Sequence, residues 1–294
     1  MAIIDDIKGA YRRGTMLMRI IYINIAVFVL LHLVALVGII INVPPQGMMQ
    51  WLQLPSDMGR LAHTPWTPLT YMFTHYDLLH ILFNMLWLYW LGRIFLEYFT
   101  PKRLSDLYVL GGLAGAAVYL LAMNLLPHFA GPGSFLMGAS ASVIAIVVAV
   151  AVWAPDYKIG LLFIGEISLK WVAIATIGID LLSVDTANAG GHIAHLGGAA
   201  MGAIYATALR RGTDVTRPLN AVLDWLATLF ARPQQADRSN AAKATNGSRP
   251  SQGTDRPTEA EIDAILDKIK RSGYNSLTER EREMLFSASR KRST

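Results

Sequence analysis

Residues Gly138 to Ala154 read GASASVIAIVVAVAVWA, and residues Gly191 to Leu209 read GHIAHLGGAAMGAIYATAL. Both runs lack Asp, Glu, Lys and Arg, and each is long enough as a helix to cross most of a hydrocarbon layer roughly 30 Å thick. One opens on a serine and the other on histidines. Polar side chains are costly at membrane depth, so Ser140 and His195 read first as functional residues and only second as packing.

Four more predominantly apolar stretches complete the pattern: Met16 to Val43, Leu78 to Phe99, Leu104 to Leu126, and Leu169 to about Thr186. The expected fold class is an all-α membrane protein, a bundle of six transmembrane helices with a soluble helical C-terminal tail. Composition agrees. Of the chain, 53% is hydrophobic and 16% charged, and the mean hydropathy is +0.37, too apolar for an ordinary soluble domain. The first run is too long for a cleavable signal peptide and no A-x-A-like site follows it, so it is expected to remain as the first helix. The absence of cysteine excludes disulfides, thiolate metal sites and a cysteine nucleophile. The net charge of +5 sits at segment ends and in the tail, where lipid headgroups account for it better than nucleic acid does.

Lys and Arg set the expected orientation. Arg12 and Arg13 precede the first stretch; Arg93, Lys102 and Arg103 surround the junction of the second and third; Lys158 and Lys170 flank the link before the fifth; Arg210 and Arg211 follow the sixth. These ends read as cytoplasmic, which fits a bacterial inner membrane with both termini inside. The outward loop from Pro44 to Thr74 carries Pro44, Pro45, Pro55, Pro65 and Pro68 with Trp51 and Trp66, a composition suited to the membrane interface. Ile159 to Leu169 is too short to span and contains Glu166, so it is placed along the inner interface.

The chain divides into a cytoplasmic N-terminus (1–15), a six-helix core (16–210), an interfacial amphipathic helix (211–231), a flexible linker (232–257) and a helical hairpin (258–294). Leu219, Val222, Leu223, Leu226, Leu229 and Phe230 recur at helical spacing, which suits an amphipathic helix on the inner leaflet or one packed against the core. The hairpin is marked by capping boxes at Thr258 with Glu261 and Ser276 with Glu279, and by a break at Gly273. Ile262, Ile265, Leu266 and Ile269 are expected to face Leu277, Met284 and Leu285.

Depth can be counted at about 1.5 Å per helical residue. Ser140 lies about 24 Å from Asp156, His195 about 23 Å from Arg210, and His80 about 20 Å from Arg93 by that rise. The three share a level below the outer face. Asp180 lies only about 15 Å from Lys170 on the same count, too low to orient His195. A serine hydroxyl needs a base to take its proton, and a neutral imidazole supplies one near physiological pH. Ser140 and His195 form that dyad. His80 and Asn84, one turn apart, can donate to an oxyanion beside the Ser140 backbone N–H. Ala194, Gly198, Gly202 and Ala206 form a small-residue ridge, as do Ala141, Ala145 and Ala149, and such ridges let helix backbones approach closely.

At these residues the chain resembles the rhomboids, a family of intramembrane serine proteases. The matching patterns are Gly138-Ala139-Ser140-Ala141, His195-Leu196-Gly197-Gly198 with Gly202, and His80-Ile81-Leu82-Phe83-Asn84. The resemblance implies cleavage of single-pass membrane proteins near the outer edge of their transmembrane segment, without metal or other cofactor. The implied partners are transmembrane substrates and membrane lipids, while the tail's partner is not identified. Two positions depart from the family's pattern. Trp66 is followed by Thr67 where many relatives carry Arg, and Ile144 stands where many carry an aromatic that stacks on the histidine.

Neighbouring polar residues have competing roles. Ser142 points to another helix face and reads as packing. His192 is the rival base, but only His195 has glycines three and seven residues later. His75 either lines a water path or is a surface histidine. An inactive relative that binds transmembrane helices without cutting them is the alternative function; a transporter is disfavoured because paired broken helices are not evident.

Overall fold

The computed structural model describes residues 14–42, 47, 49–129, 133–161, 165–186, 188–230, 259–272 and 277–290. The expected N-terminal segment up to residue 13, Pro44, Pro45, the linker, Thr258, Gly273 and Ser276 lie outside the described residues. Two units make up the chain, Met1–Ala231 and Arg232–Thr294.

In the first unit, six helices follow the six apolar stretches: α1 (Met16–Ile40), α4 (Leu78–Tyr98), α5 (Pro101–Leu125), α6 (Ser140–Trp153), α7 (Leu169–Leu182) and α8 (Ala189–Arg210). Between α1 and α4 lie strand β1 (Leu54–Pro55), the short helices α2 (Met58–His63) and α3 (Thr67–Thr70), and a 3-10 turn at Tyr71–Phe73. Among the described residues three helices, α1, α4 and α5, are long and apolar enough to cross a membrane. α1 turns a broad apolar surface outward, with Leu30, Leu33, Ile39 and Ile40 exposed, as lipid contact requires. Its one fully buried polar side chain, Asn24, is satisfied: Nδ2 donates to Ile20 O at 2.9 Å and to Tyr108 Oη at 3.1 Å.

Helix starts follow local chemistry. The Thr15 side chain caps α1, and Thr100 caps α5 with Pro101 in the first turn, where a missing N–H costs nothing. α6 is different. Its residues from Ala141 to Ala151 are all buried, the pattern of a helix enclosed on every side, and it packs against α4, α5, α7 and α8. Glycines make that enclosure possible. A Cβ at Gly111 would lie 2.4 Å from the Ala145 Cβ, and one at Gly115 would lie 2.6 Å from the Ala141 Cβ.

Among the described residues, two small antiparallel sheets accompany the helices of this mostly helical fold. β1 pairs with β2 (Phe135–Leu136), Leu54 opposite Leu136, fastening the loop between α1 and α4 to the segment that leads into α6. β3 (Lys158–Leu161) pairs with β4 (Gly165–Ser168) in the region expected merely to lie along the interface. The alternation there has period two: Ile159 opposes Ile167 and is buried, while Gly160 opposes exposed Glu166. That is the signature of a half-buried hairpin.

The loop between α1 and α4 is held by bonds the sequence did not advertise. Tyr71 Oη donates to Gly112 O at 2.6 Å, Tyr108 Oη donates to Met72 O at 2.8 Å, and Thr70 Oγ1 donates to Leu52 O at 2.9 Å. The Trp66 indole donates to Trp51 O at 2.7 Å, and the two rings stack at 6.2 Å. Thr67, the departure noted above, is fully buried and donates to Thr64 O at 2.8 Å. The loop is therefore anchored without an arginine at that position.

Beyond α8, helix α9 (Arg217–Phe230) is tied to the start of α5. Asn220 Nδ2 donates to Asp106 Oδ2 at 3.0 Å, Lys102 donates to Asn220 Oδ1, and Arg103 pairs with Asp214 at 3.8 Å. Val222 and Trp225 are exposed; the side chains of Leu223, Leu226, Leu229 and Phe230 lie outside the described residues. The second unit contains α10 (Glu259–Ser272) and α11 (Glu279–Arg290) in contact. Ile265 and Leu277 are buried, but Leu266 is 49% exposed and does not join the expected apolar face. The capping box is also displaced: α11 starts at Glu279, and Thr278 N donates to Glu281 Oε2 at 2.8 Å while Glu281 N donates to Thr278 Oγ1 at 3.4 Å. Thr278 with Glu281 offers the same reciprocal pairing two residues after the expected one.

Candidate active site

Ser140 is the first residue of α6 and follows a tight turn. Gly138 has φ +112°, a conformation that L side chains rarely adopt, and a Cβ there would lie 2.7 Å from His80 Cε1. Only glycine fits. The turn is held at two points: Gly138 N donates to Tyr71 O at 2.9 Å, and Ala139 N donates to His75 Nε2 at 3.2 Å. His75 is fully buried, which corrects both expectations for it. Burial, reinforced by neighbouring His80, pushes its imidazole down to about 4, so the ring is neutral and its Nε2 is free to accept.

α8 brings His195 to the serine. A Cβ at Gly198 would lie 2.1 Å from Ala141 O, and one at Gly202 would lie 2.2 Å from Ala145 O. At this separation Ser140 Oγ lies 2.6 Å from His195 Nε2. His192, the rival, does not reach the serine by any bond among the described residues; its Nδ1 lies 2.8 Å from Asp180 Oδ1. Ser142, fully buried, has its Oγ 3.9 Å from Met72 Sδ.

His80, Asn84, Ser140, Ile144, Asp180 and His195 line one cavity of about 670 Å³, a size suited to part of a peptide chain. Asn84 Nδ2 donates to His80 O at 3.0 Å, which uses one of its two amide hydrogens. The His80 ring meets His75 edge-on, with centroids 5.1 Å apart.

Asp180 meets His195, contrary to the expectation from helical rise. Its Oδ1 lies 2.7 Å from His195 Nδ1 as well as 2.8 Å from His192 Nδ1, and its side chain is only 6% exposed. Counting from Lys170 assumed an untilted helix and a common baseline. Asp180 is instead in the last turn of α7, and the chain returns as α8 after residues 183–188, so that turn lies beside the early turns of α8. The available signal was that Asp180 is the acidic residue of the Leu169–Leu182 stretch, and a membrane carboxylate needs a partner. Asp180, His192 and His195 are also a set whose donor atoms lie within 4.8 Å of one another, close enough to hold a metal ion; the two short N···O contacts are hydrogen bonds as they stand.

The family model for the Rhomboid domain matches residues 62–212. The chain belongs to the rhomboid family. A second model, a family of unknown function (DUF6576), matches residues 256–291. Among curated rhomboid relatives, RHOMBOID-like protein 12, mitochondrial, of Arabidopsis thaliana is 33% identical over 157 residues, 50% of this chain and 47% of that protein. Rhomboid protease GlpG of Klebsiella pneumoniae is 35% identical over 82 residues, 28% of this chain and 26% of that protein. The chain thus spans about half the length of the first relative and about a quarter of the second. With its apolar helices, this rhomboid is an integral membrane protein.

Proposed function

We propose that the chain is an intramembrane serine endopeptidase that cleaves single-pass transmembrane proteins near the outer membrane face. The observation that carries the reading is the 2.6 Å approach of Ser140 Oγ to His195 Nε2 at the head of a buried helix. In this mechanism Ser140 Oγ attacks the peptide carbonyl while His195 Nε2 takes its proton, and the same nitrogen then protonates the leaving amine. Water hydrolyses the resulting ester by the reverse route. The oxyanion is assigned to the Ser140 backbone N–H, the His80 ring and the remaining amide hydrogen of Asn84, and the N-terminus of α6 adds a favourable dipole. All of these groups are side chains or backbone of this chain, so the chemistry requires no metal or other cofactor.

The six helices that follow the apolar stretches are assigned as spans. α6 has 14 residues, about 21 Å by helical rise, which supports a serine set below the outer surface of a layer roughly 30 Å thick. The distribution of Lys and Arg supports both termini on the cytoplasmic side of a bacterial inner membrane. Residues 16–210 form the protease core in this reading, 211–231 the interfacial helix, 232–257 a linker and 258–294 the cytoplasmic hairpin. Reporter fusions after Val43, Phe99 and Leu126 should alternate outside, inside, outside; another alternation rejects the six-span arrangement.

A fluorophosphonate probe tests the chemistry directly. The purified protein should be labelled and Ser140→Ala should not. A folded wild-type protein that resists the probe and leaves transmembrane substrates intact would point to a helix-binding rhomboid without proteolytic activity.

A further inference from the structure

Asp180 is a carboxylate almost removed from solvent in a helix assigned to the membrane, and such a group persists only when its charge is matched by hydrogen bonds. Its recorded partners are both imidazoles of α8 that lie one turn apart, His192 and His195, and both meet the same oxygen. An ionised carboxylate only accepts. With Asp180 ionised, each Nδ1 carries the proton. For His195 this has a chemical consequence, because a neutral ring with Nδ1–H leaves Nε2 as a bare lone pair, and that lone pair is 2.6 Å from Ser140 Oγ.

We infer that Asp180 is a positioning residue that holds His195 in the Nδ1–H tautomer with Nε2 aimed at Ser140, and that His192 braces the same carboxylate oxygen from the adjacent turn. The inference deepens the protease reading and rests on it. It also accounts for Ile144. Among the described residues the ring recorded against His195 is that of His192, edge-on with centroids 5.8 Å apart, and a methyl-bearing side chain at 144 offers no stacking face. The orientation of the His195 ring is set through its two nitrogens, Nδ1 held by Asp180 on α7 and Nε2 by Ser140 on α6. The carboxylate acts through His195 in this arrangement: it fixes which nitrogen is basic and where it points.

The test uses full-length protein in lipid nanodiscs, labelled with 15N at the histidine rings, with His195 assigned by the signal lost in His195→Gln. The wild-type ring should show a protonated Nδ1 and an unprotonated Nε2. Asp180→Asn, close in shape, should lose that single tautomer and lower kcat by between about 100- and 10,000-fold, with KM changed far less, as expected when a group that orients a histidine is neutralised. A wild-type His195 protonated at Nε2 overturns the inference without reference to whether any variant folds. So does a folded Asp180→Asn protein with wild-type kcat, or one with reduced kcat and an unchanged tautomer, since either result leaves Asp180 as a tie between α7 and α8. Ser140→Ala separates the two proposals: full cleavage by that variant defeats the protease reading, whatever the ring nitrogens show.

Discussion

Gly198 sits over the carbonyl of Ala141 so closely that a Cβ on it would come within 2.1 Å of the oxygen. That contact, one residue beyond Ser140 and three beyond His195, sets the distance between the helices carrying the two groups. Gly198→Ala should therefore push α8 away from α6. Overpacking of this kind costs about 1 to 3 kcal/mol. The thermal midpoint should fall and fluorophosphonate labelling of Ser140 should slow sharply. Gly202→Ala, tight against Ala145 O a turn further from the chemistry, should lower stability comparably and labelling less. Equal labelling rates for wild type and Gly198→Ala would show that the bundle yields without opening the dyad.

Ser140 and Ser142 differ in surroundings more than in sequence. Ser140→Ala should abolish cleavage with the fold intact, whereas Ser142→Ala removes a hydroxyl whose recorded partner is a methionine sulfur at 3.9 Å and should keep most activity. The measurement is turnover of a transmembrane test substrate in liposomes. Persistent cleavage by Ser140→Ala would move the nucleophile elsewhere.

The assigned oxyanion donors act together. Removing one positioned donor typically lowers turnover about 100- to 1,000-fold, or about 2.7 to 4 kcal/mol, because the interaction forms mainly in the transition state. His80→Ala or Asn84→Ala alone should each cost less than Ser140→Ala, since the backbone N–H and the other side chain remain; the double variant should fall further. Asn84 also bonds the His80 carbonyl, so kcat and KM need to be read alongside a thermal melt. A folded double variant with wild-type kcat would reassign both residues to packing.

In the tail, the Lys268 ammonium beside Glu281, followed by the Thr278 N–H and hydroxyl, holds the Glu281 carboxyl down to about 2 from its ordinary 4.5. A carboxyl depressed on folding adds stability that is complete above its unfolded value and is lost as pH falls through its folded value. The α10–α11 pair should therefore weaken below about pH 4.5 and lose this contribution near pH 2. Cα chemical shifts of the tail in the full chain, followed from about pH 6 to about pH 2, should show that loss, and Glu281→Gln should remove its pH dependence. An unchanged transition in the variant would assign it to another group.

The sequence alone carried the six apolar helices to within a few residues of their ends, because hydropathy and helix caps are local properties of a short run of chain. It also singled out Ser140, His195, His80, Asn84 and the glycines at 138, 198 and 202, since a reactive group and the small residues that admit it must recur at fixed helical spacings. The Asp180 contacts, the His75 bond beneath Ala139, the pairing of Leu54 with Leu136 and the Tyr71 bond to Gly112 were decided only by tertiary structure. Each joins residues from different elements through a distance set by helix tilt, loop path or the thickness of neighbouring side chains. A count along one axis gives the height of a residue on its own helix; which partner it meets there depends on how closely the glycines of Gly111, Gly115, Gly198 and Gly202 let four helices pack around α6 and its flank.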